Sequence, residues 1–260
     1  MTTPTIAVTE PVGPDGAPFI LLGPSLGTST ILWEQVVPQL AQKYRVAAWD
    51  LPGHGAAPVP SEGFTVADLA DAVATAAHEL GVQKLHYAGI SLGGAVGIEL
   101  LLRHPDLVVS AAIICSAAKI GETDAWHERA AQVRGMGTGT LIVPSAGRWF
   151  APGSMEREPH LTGRLLHALR DADDGAYAFC CDALAAFDAR DALADIAAPV
   201  LALWGEHDAV VSEGEASQLA DGVANGRTMR IDGAAHLPAA EQPAALSRAL
   251  LDFFDERTPR

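Results

Sequence analysis

The chain has 260 residues, 49% of them apolar and 19% charged, the composition of a globular protein able to bury a sizeable core; it excludes a disordered chain. Against 17 Lys and Arg stand 32 Asp and Glu, a formal net charge of −15 with no basic run to interrupt it, so neither nucleic acid nor anionic lipid is an expected partner. An anionic small molecule is not excluded, because a few well-placed arginines reverse the potential inside one pocket.

Residues 1–18 lack a basic segment followed by an apolar stretch, and no apolar run is long and charge-free enough to span a bilayer. Three cysteines, two of them adjacent at Cys180 and Cys181, do not suit a disulfide framework. The expectation is an unexported, cytoplasmic protein without membrane attachment. Short apolar runs bounded by Gly, Pro and Asp predict buried strands over 19–22, 45–49, 84–88, 109–115, 200–204 and 228–231. Ala- and Leu-rich stretches of helical period lie between several of them, at 66–80 and at 94–103, the latter stopping at His104-Pro105. Strand alternating with helix predicts a doubly wound α/β layer around one core.

The alternation breaks between Lys119 and Leu193, where helical patterns recur at 124–134 and 161–172 and no strand is legible before Pro199. Ordinary crossover helices would fit the composition, but crossovers need far fewer residues. The expected organisation is an α/β core over 1–118 and 194–260, with a helical cap over 119–193 inserted between two strands above the strand ends.

Gly89-Ile90-Ser91-Leu92-Gly93 falls where a predicted strand runs into a predicted helix. A sharp turn there needs small neighbours and leaves the serine hydroxyl exposed at a helix N-terminus, so Ser91 is the candidate nucleophile. A plain Gly-rich turn is the alternative, weakened by the flanking strand and helix. Serine needs a base and an acid to orient that base. Asp208, in Gly205-Glu206-His207-Asp208, follows the strand over 200–204; His236, in Asp232-Gly233-Ala234-Ala235-His236, follows the strand over 228–231. Both are in the chain order Ser, Asp, His that suits this arrangement. His54 stands in a loop after another strand but at the wrong chain position for the base, so it is assigned to shaping a turn. His207 points away from Asp208 if the segment is extended, and His86 belongs inside a strand. The oxyanion donors are expected to be the backbone N–H groups of Leu92 and of Leu26, the latter in Gly23-Pro24-Ser25-Leu26-Gly27. No metal-ligand spacing and no nucleotide-binding glycine loop is present, and no cofactor and no metal are expected.

Together these segments resemble the α/β-hydrolase superfamily over essentially the whole chain. Within it the sequence looks most like the 3-oxoadipate enol-lactone hydrolases of aromatic-compound catabolism, the β-ketoadipate pathway. The broadly shared likeness lies in Ser25-Leu26-Gly27-Thr28 with Trp33, in Asp50-Leu51-Pro52-Gly53-His54-Gly55 and in the Ser91 turn. The discriminating likeness lies in Ala117-Ala118-Lys119-Ile120-Gly121 with Trp126, Arg129 and Arg134, then Arg148-Trp149-Phe150. The chain departs from many relatives at Pro24-Ser25, where His-Gly is common, and at Leu92-Gly93 after the nucleophile. The resemblance implies a mostly parallel sheet flanked by helices with a helical cap, and a serine hydrolase that opens an enol-lactone bearing an acetate arm through an acyl-enzyme. It also implies a carboxylate site in the cap, for which Arg129 and Arg134 are the candidates, with Trp126 and Trp149 as walls. Two other readings stay open on the sequence: a general carboxylesterase or cofactor-free perhydrolase using the same triad, and a binding protein of the same fold without catalysis.

Overall fold

The structure, a computed structural model, describes residues 3–257. Among them a seven-stranded sheet forms from β1 (Ala7–Val8), β2 (Phe19–Gly23), β3 (Arg45–Asp50), β4 (Leu85–Ile90), β5 (Val108–Ile114), β6 (Val200–Gly205) and β7 (Gly226–Ile231), in the order β1-β3-β2-β4-β5-β6-β7. β2 to β7 run parallel; β1 alone is antiparallel, pairing Ala7 with Asp50 and Val8 with Trp49. The six expected strands are therefore present, most of them longer by a residue or two. β1 escapes the sequence because two residues carry no period.

Every residue of β2 and β4 is buried, which is why these strands read as continuous apolar runs rather than alternating ones. Both faces are covered by helices. Neighbouring residues of a strand point to opposite faces, and at β4 the His86 ring stacks on Phe254 while the Tyr87 ring lies against Gly97. The C-terminal helix Pro243–Asp255 and the helix Leu92–Arg103 thus occupy opposite faces of the sheet. The helix Val66–Glu79 packs beside Leu92–Arg103 and starts at a reciprocal cap, in which the Thr65 hydroxyl accepts from Asp68 N–H and the Asp68 carboxylate accepts from Thr65 N–H.

Between Ile114 and Val200 no strand is described. The segment holds the helices Thr123–Met136, Ile142–Trp149, Ser154–Arg157, Pro159–Asp171 and Asp174–Ala186, of which the first and last pack against each other. The N–H of Ala189 donates to Ala118 O at 2.8 Å, which brings the two ends of the insertion together. Its far side rests on the loops that follow β2 and β3: Leu169 and Tyr177 lie against Gly27, and Asp173 N–H donates to Gly53 O at 2.9 Å. The insertion covers the carboxyl ends of the parallel strands, the edge at which this sheet topology places its loops.

Candidate active site

At the end of β4 the chain turns straight into the helix Leu92–Arg103, and Ser91 takes φ 56° and ψ −116° to do so. A non-glycine residue held there costs about 1–3 kcal/mol and persists only when its surroundings fix it. They do: Ser91 N–H donates to Ile114 O at 2.9 Å, and Ser91 O accepts from Ala95 N–H at 3.0 Å and from the Ser116 hydroxyl at 2.8 Å. The glycines on either side are required by contact. A Cβ on Gly89 would come within 2.2 Å of Gly93 O, and one on Gly93 within 2.6 Å of Pro24 O. Gly93 N–H in turn donates to Pro24 O at 3.0 Å, so the loop after β2 is fastened to the turn that carries Ser91. Beneath it, the buried Tyr87 hydroxyl donates to Gly93 O at 2.8 Å.

Leu92 N–H opens its helix, where no preceding turn supplies an acceptor and the helix dipole favours negative charge. Leu26 lies in the fastened loop, shaped by Thr28, whose N–H and hydroxyl both donate to Ser25 O, at 3.0 and 2.7 Å. Leu26 and Ser91 line one cavity. Asp50, at the end of β3, accepts from Thr30 N–H at 2.6 Å and from Ala56 N–H at 2.9 Å, tying the loops after β2 and β3 together. That is what the Asp50-to-Gly55 motif does here.

Asp208 and His236 meet across the ends of β6 and β7. His236 Nδ1 lies 3.0 and 3.1 Å from the two Asp208 oxygens, and the side chains are 3% and 0% exposed. Burial pushes the Asp208 carboxyl up, but the adjacent His236 and the N–H groups of Val210 and Val211, at 2.8 and 3.2 Å, more than offset it and hold it below the ordinary range. His207 N–H donates to Ala234 O at 2.8 Å, joining the two loops, while the His207 side chain faces solvent. Cys115, at φ 47°, is fully buried beside this pair, and its thiol, Asp208 and His236 each offer a ligating atom within 4.8 Å of the others. They are the one group among the described residues whose His, Cys and acid atoms lie close enough to share an ion. Burial first, and then Asp208, pushes the Cys115 thiol well up, and His236 Nδ1 already bonds Asp208, so the cluster serves an imidazole better than a metal.

Ser91 and His236 open into a cavity of about 200 Å³ that is also lined by Glu122, Trp126, Arg129, Arg148, Trp149 and Tyr177. Trp126 is fixed by its Nε1–H bond to Ile120 O at 2.5 Å, and the Arg129 guanidinium lies over its ring at 4.7 Å. The expectation for Arg134 is corrected. It stands five residues beyond Arg129, about 140° further round the same helix; its guanidinium bonds Asp182 on the outer surface and does not reach the cavity. Arg148 takes the second cationic position instead. Burial and the nearby Arg129 charge push its pKa down, and neither guanidinium has a carboxylate partner among the described residues. The sequence held a signal for it: Ser145, Arg148 and Trp149 are spaced i, i+3, i+4 and share one face of a short helix. Tyr177, from the helix Asp174–Ala186, had no motif to mark it; it stacks on His54, whose Nδ1 bonds Pro52 O at 2.9 Å.

Residues 18–143 match the family described as alpha/beta hydrolase fold. The chain is 33% identical to 3-oxoadipate enol-lactonase 2 of Acinetobacter baylyi, over 90% of this chain and 87% of that protein. It is 28% identical to carboxylesterase YbfK of Bacillus subtilis, over 93% and 81%. Among solved structures, the enol-lactonase from Burkholderia xenovorans LB400 superposes with a TM-score of 0.92 at 30% identity, covering 96% of both chains.

Proposed function

The chain belongs to the α/β-hydrolase family and is an ester-cleaving enzyme; within that family we propose that it opens 3-oxoadipate enol-lactone, a five-membered lactone with an acetate arm, to 3-oxoadipate. The observation that carries this reading is one cavity lined by both a Ser91–His236 pair and two arginines free of acidic partners, in a chain of net charge −15. Two half-buried guanidinium groups against the one carboxylate of Glu122 leave the cavity lining net positive in an acidic protein, which suits a substrate that brings its own carboxylate. The likeness to the Acinetobacter and Burkholderia enol-lactonases supports the same substrate.

In this mechanism Ser91 Oγ adds to the lactone carbonyl carbon while His236 takes the hydroxyl proton, and Asp208 stabilises the imidazolium. The N–H groups of Leu26 and Leu92 hold the oxyanion. Collapse breaks the ring C–O bond, His236 returns the proton to the departing oxygen, and the released enol becomes a ketone. Water, deprotonated by His236, then cleaves the acyl-enzyme and restores Ser91. Arg129 and Arg148 hold the acetate arm between the walls of Trp126 and Trp149. No cofactor takes part in any step. Three buried free thiols accord with a reducing cytoplasm, where we place the enzyme.

Turnover of purified enol-lactone beside p-nitrophenyl butyrate tests the substrate. The expected result is a kcat/KM at least about 100-fold higher for the lactone, lost by about 10⁴-fold in Ser91→Ala. Brisk ester turnover with negligible lactone opening would replace this reading with a general carboxylesterase, the reading that the Bacillus relative favours.

A further inference from the structure

Glu241 ends the short helix Pro238–Glu241, five residues beyond His236, and is 7% exposed, with no ion pair among the described residues. Its oxygens face donors only. Oε1 accepts from Ala151 N–H at 2.6 Å and from the Ser154 hydroxyl at 2.9 Å; Oε2 accepts from Ala235 N–H at 2.8 Å. The Ser154 hydroxyl donates here because an ionised carboxylate has no proton to give, and its oxygen accepts from the Arg157 guanidinium at 2.8 Å. Ala235 immediately precedes His236, whereas Ala151 and Ser154 belong to the insertion, just beyond the Arg148 and Trp149 wall. On the other side of His236, Leu237 N–H donates to Trp149 O at 3.3 Å. One buried carboxylate and one backbone bond therefore join the histidine loop to the wall across the cavity from Ser91.

We infer that Glu241 is a positioning residue that fixes the base His236 and the Arg148–Trp149 wall as one unit. It touches neither substrate nor reacting atoms. A carboxylate is needed because both oxygens meet donors: an amide of the same shape would turn its own N–H groups toward Ala235 or toward Ala151 and Ser154, and one attachment would be lost. The inference rests on the assignment of Ser91 and His236 to the chemistry, not on the identity of the lactone.

Glu241→Gln in the full chain is the test, read on folded protein with p-nitrophenyl butyrate and with a fluorophosphonate that labels Ser91. The expected result is a 10- to 100-fold loss in both kcat and labelling rate, with a shift or broadening of the downfield proton resonance of the His236 Nδ1–H that Asp208 holds. Wild-type rates and resonance in a folded Glu241→Gln overturn the inference. Ser154→Ala serves if that variant does not fold. It removes one donor on the wall side, and the fluorophosphonate labelling rate at Ser91 should fall at least threefold with the same resonance shifted or broadened; wild-type labelling and resonance in Ser154→Ala overturn the inference. Wild-type protein that labels at Ser91 and hydrolyses the esters but not the enol-lactone ends the lactone reading alone and leaves this one standing.

Discussion

The turn that carries Ser91 and the insertion that carries Arg129 and Arg148 line the same cavity, but they are held by different means. Ser91 is fixed by main-chain bonds to Ile114 and Ala95 and by glycines whose replacement would drive Cβ into carbonyl oxygens. Across the cavity, Arg129 lies on Trp126, and Arg148 is placed by the face of a two-turn helix. Backbone constraint leaves one arrangement and few permitted residues. Side-chain packing on a helix leaves a choice of which arginine faces inward, and one residue of register decides it. The strand-end region is thus suited to holding chemistry, and the insertion to setting what is bound.

Gly93→Ala probes the rigid side and should have the largest effect. The added Cβ meets Pro24 O at 2.6 Å and Gly23 C at 2.7 Å, both main-chain atoms that yield only if the loop carrying Leu26 moves. The expected outcome is about 1–3 kcal/mol of lost stability in urea unfolding, with about a 100-fold fall in kcat as the proposed oxyanion donor Leu26 is displaced. Full activity in this variant would mean that the turn is no more constrained than the insertion.

Acidification compares the two regions within one experiment. His86, inside the sheet, and His54, against Tyr177 of the insertion, are both pushed down by burial to about 4. Between that value and the unfolded value near 6.5 the unfolded chain binds more protons, so the contribution is complete above pH 6.5 and is lost as pH falls toward 4. Each imidazole accounts for on the order of 3 kcal/mol at most. Urea midpoints from pH 7.5 to 4.5 should fall, and His54→Phe and His86→Phe should each flatten the slope. Flattening by His86→Phe alone would show that the insertion opens separately from the sheet.

The smallest effect is expected at Arg134. Its exposed pair with Asp182 is worth less than about 0.5 kcal/mol, and Arg134→Ala should leave KM for a carboxylate-bearing substrate unchanged. Arg148→Met should raise that KM at least tenfold, and the reverse outcome would restore Arg134 to the cavity.

The places of Ser91, Asp208, His236, Leu26 and Leu92 beyond strand ends were legible because strand ends are marked in the chain by glycine, proline and acidic residues around short apolar runs. Asp50-to-Gly55 was legible as a motif, though only the structure shows it tying two loops through one carboxylate. Glu241 was not legible at all. Its donors come from residues 6 and about 90 positions away, and no local pattern encodes a bond of that separation.

The sequence by itself determined six of the seven described strands and the loops that bear Ser91, Asp208 and His236, because apolar period and turn chemistry are local properties of the chain. Only the tertiary structure decided that Arg148 rather than Arg134 lines the cavity with Ser91, and that one buried carboxylate joins the His236 loop to the cavity wall. Those outcomes depend on how helices rotate and dock against one another, and docking is set by packing between segments far apart in the chain.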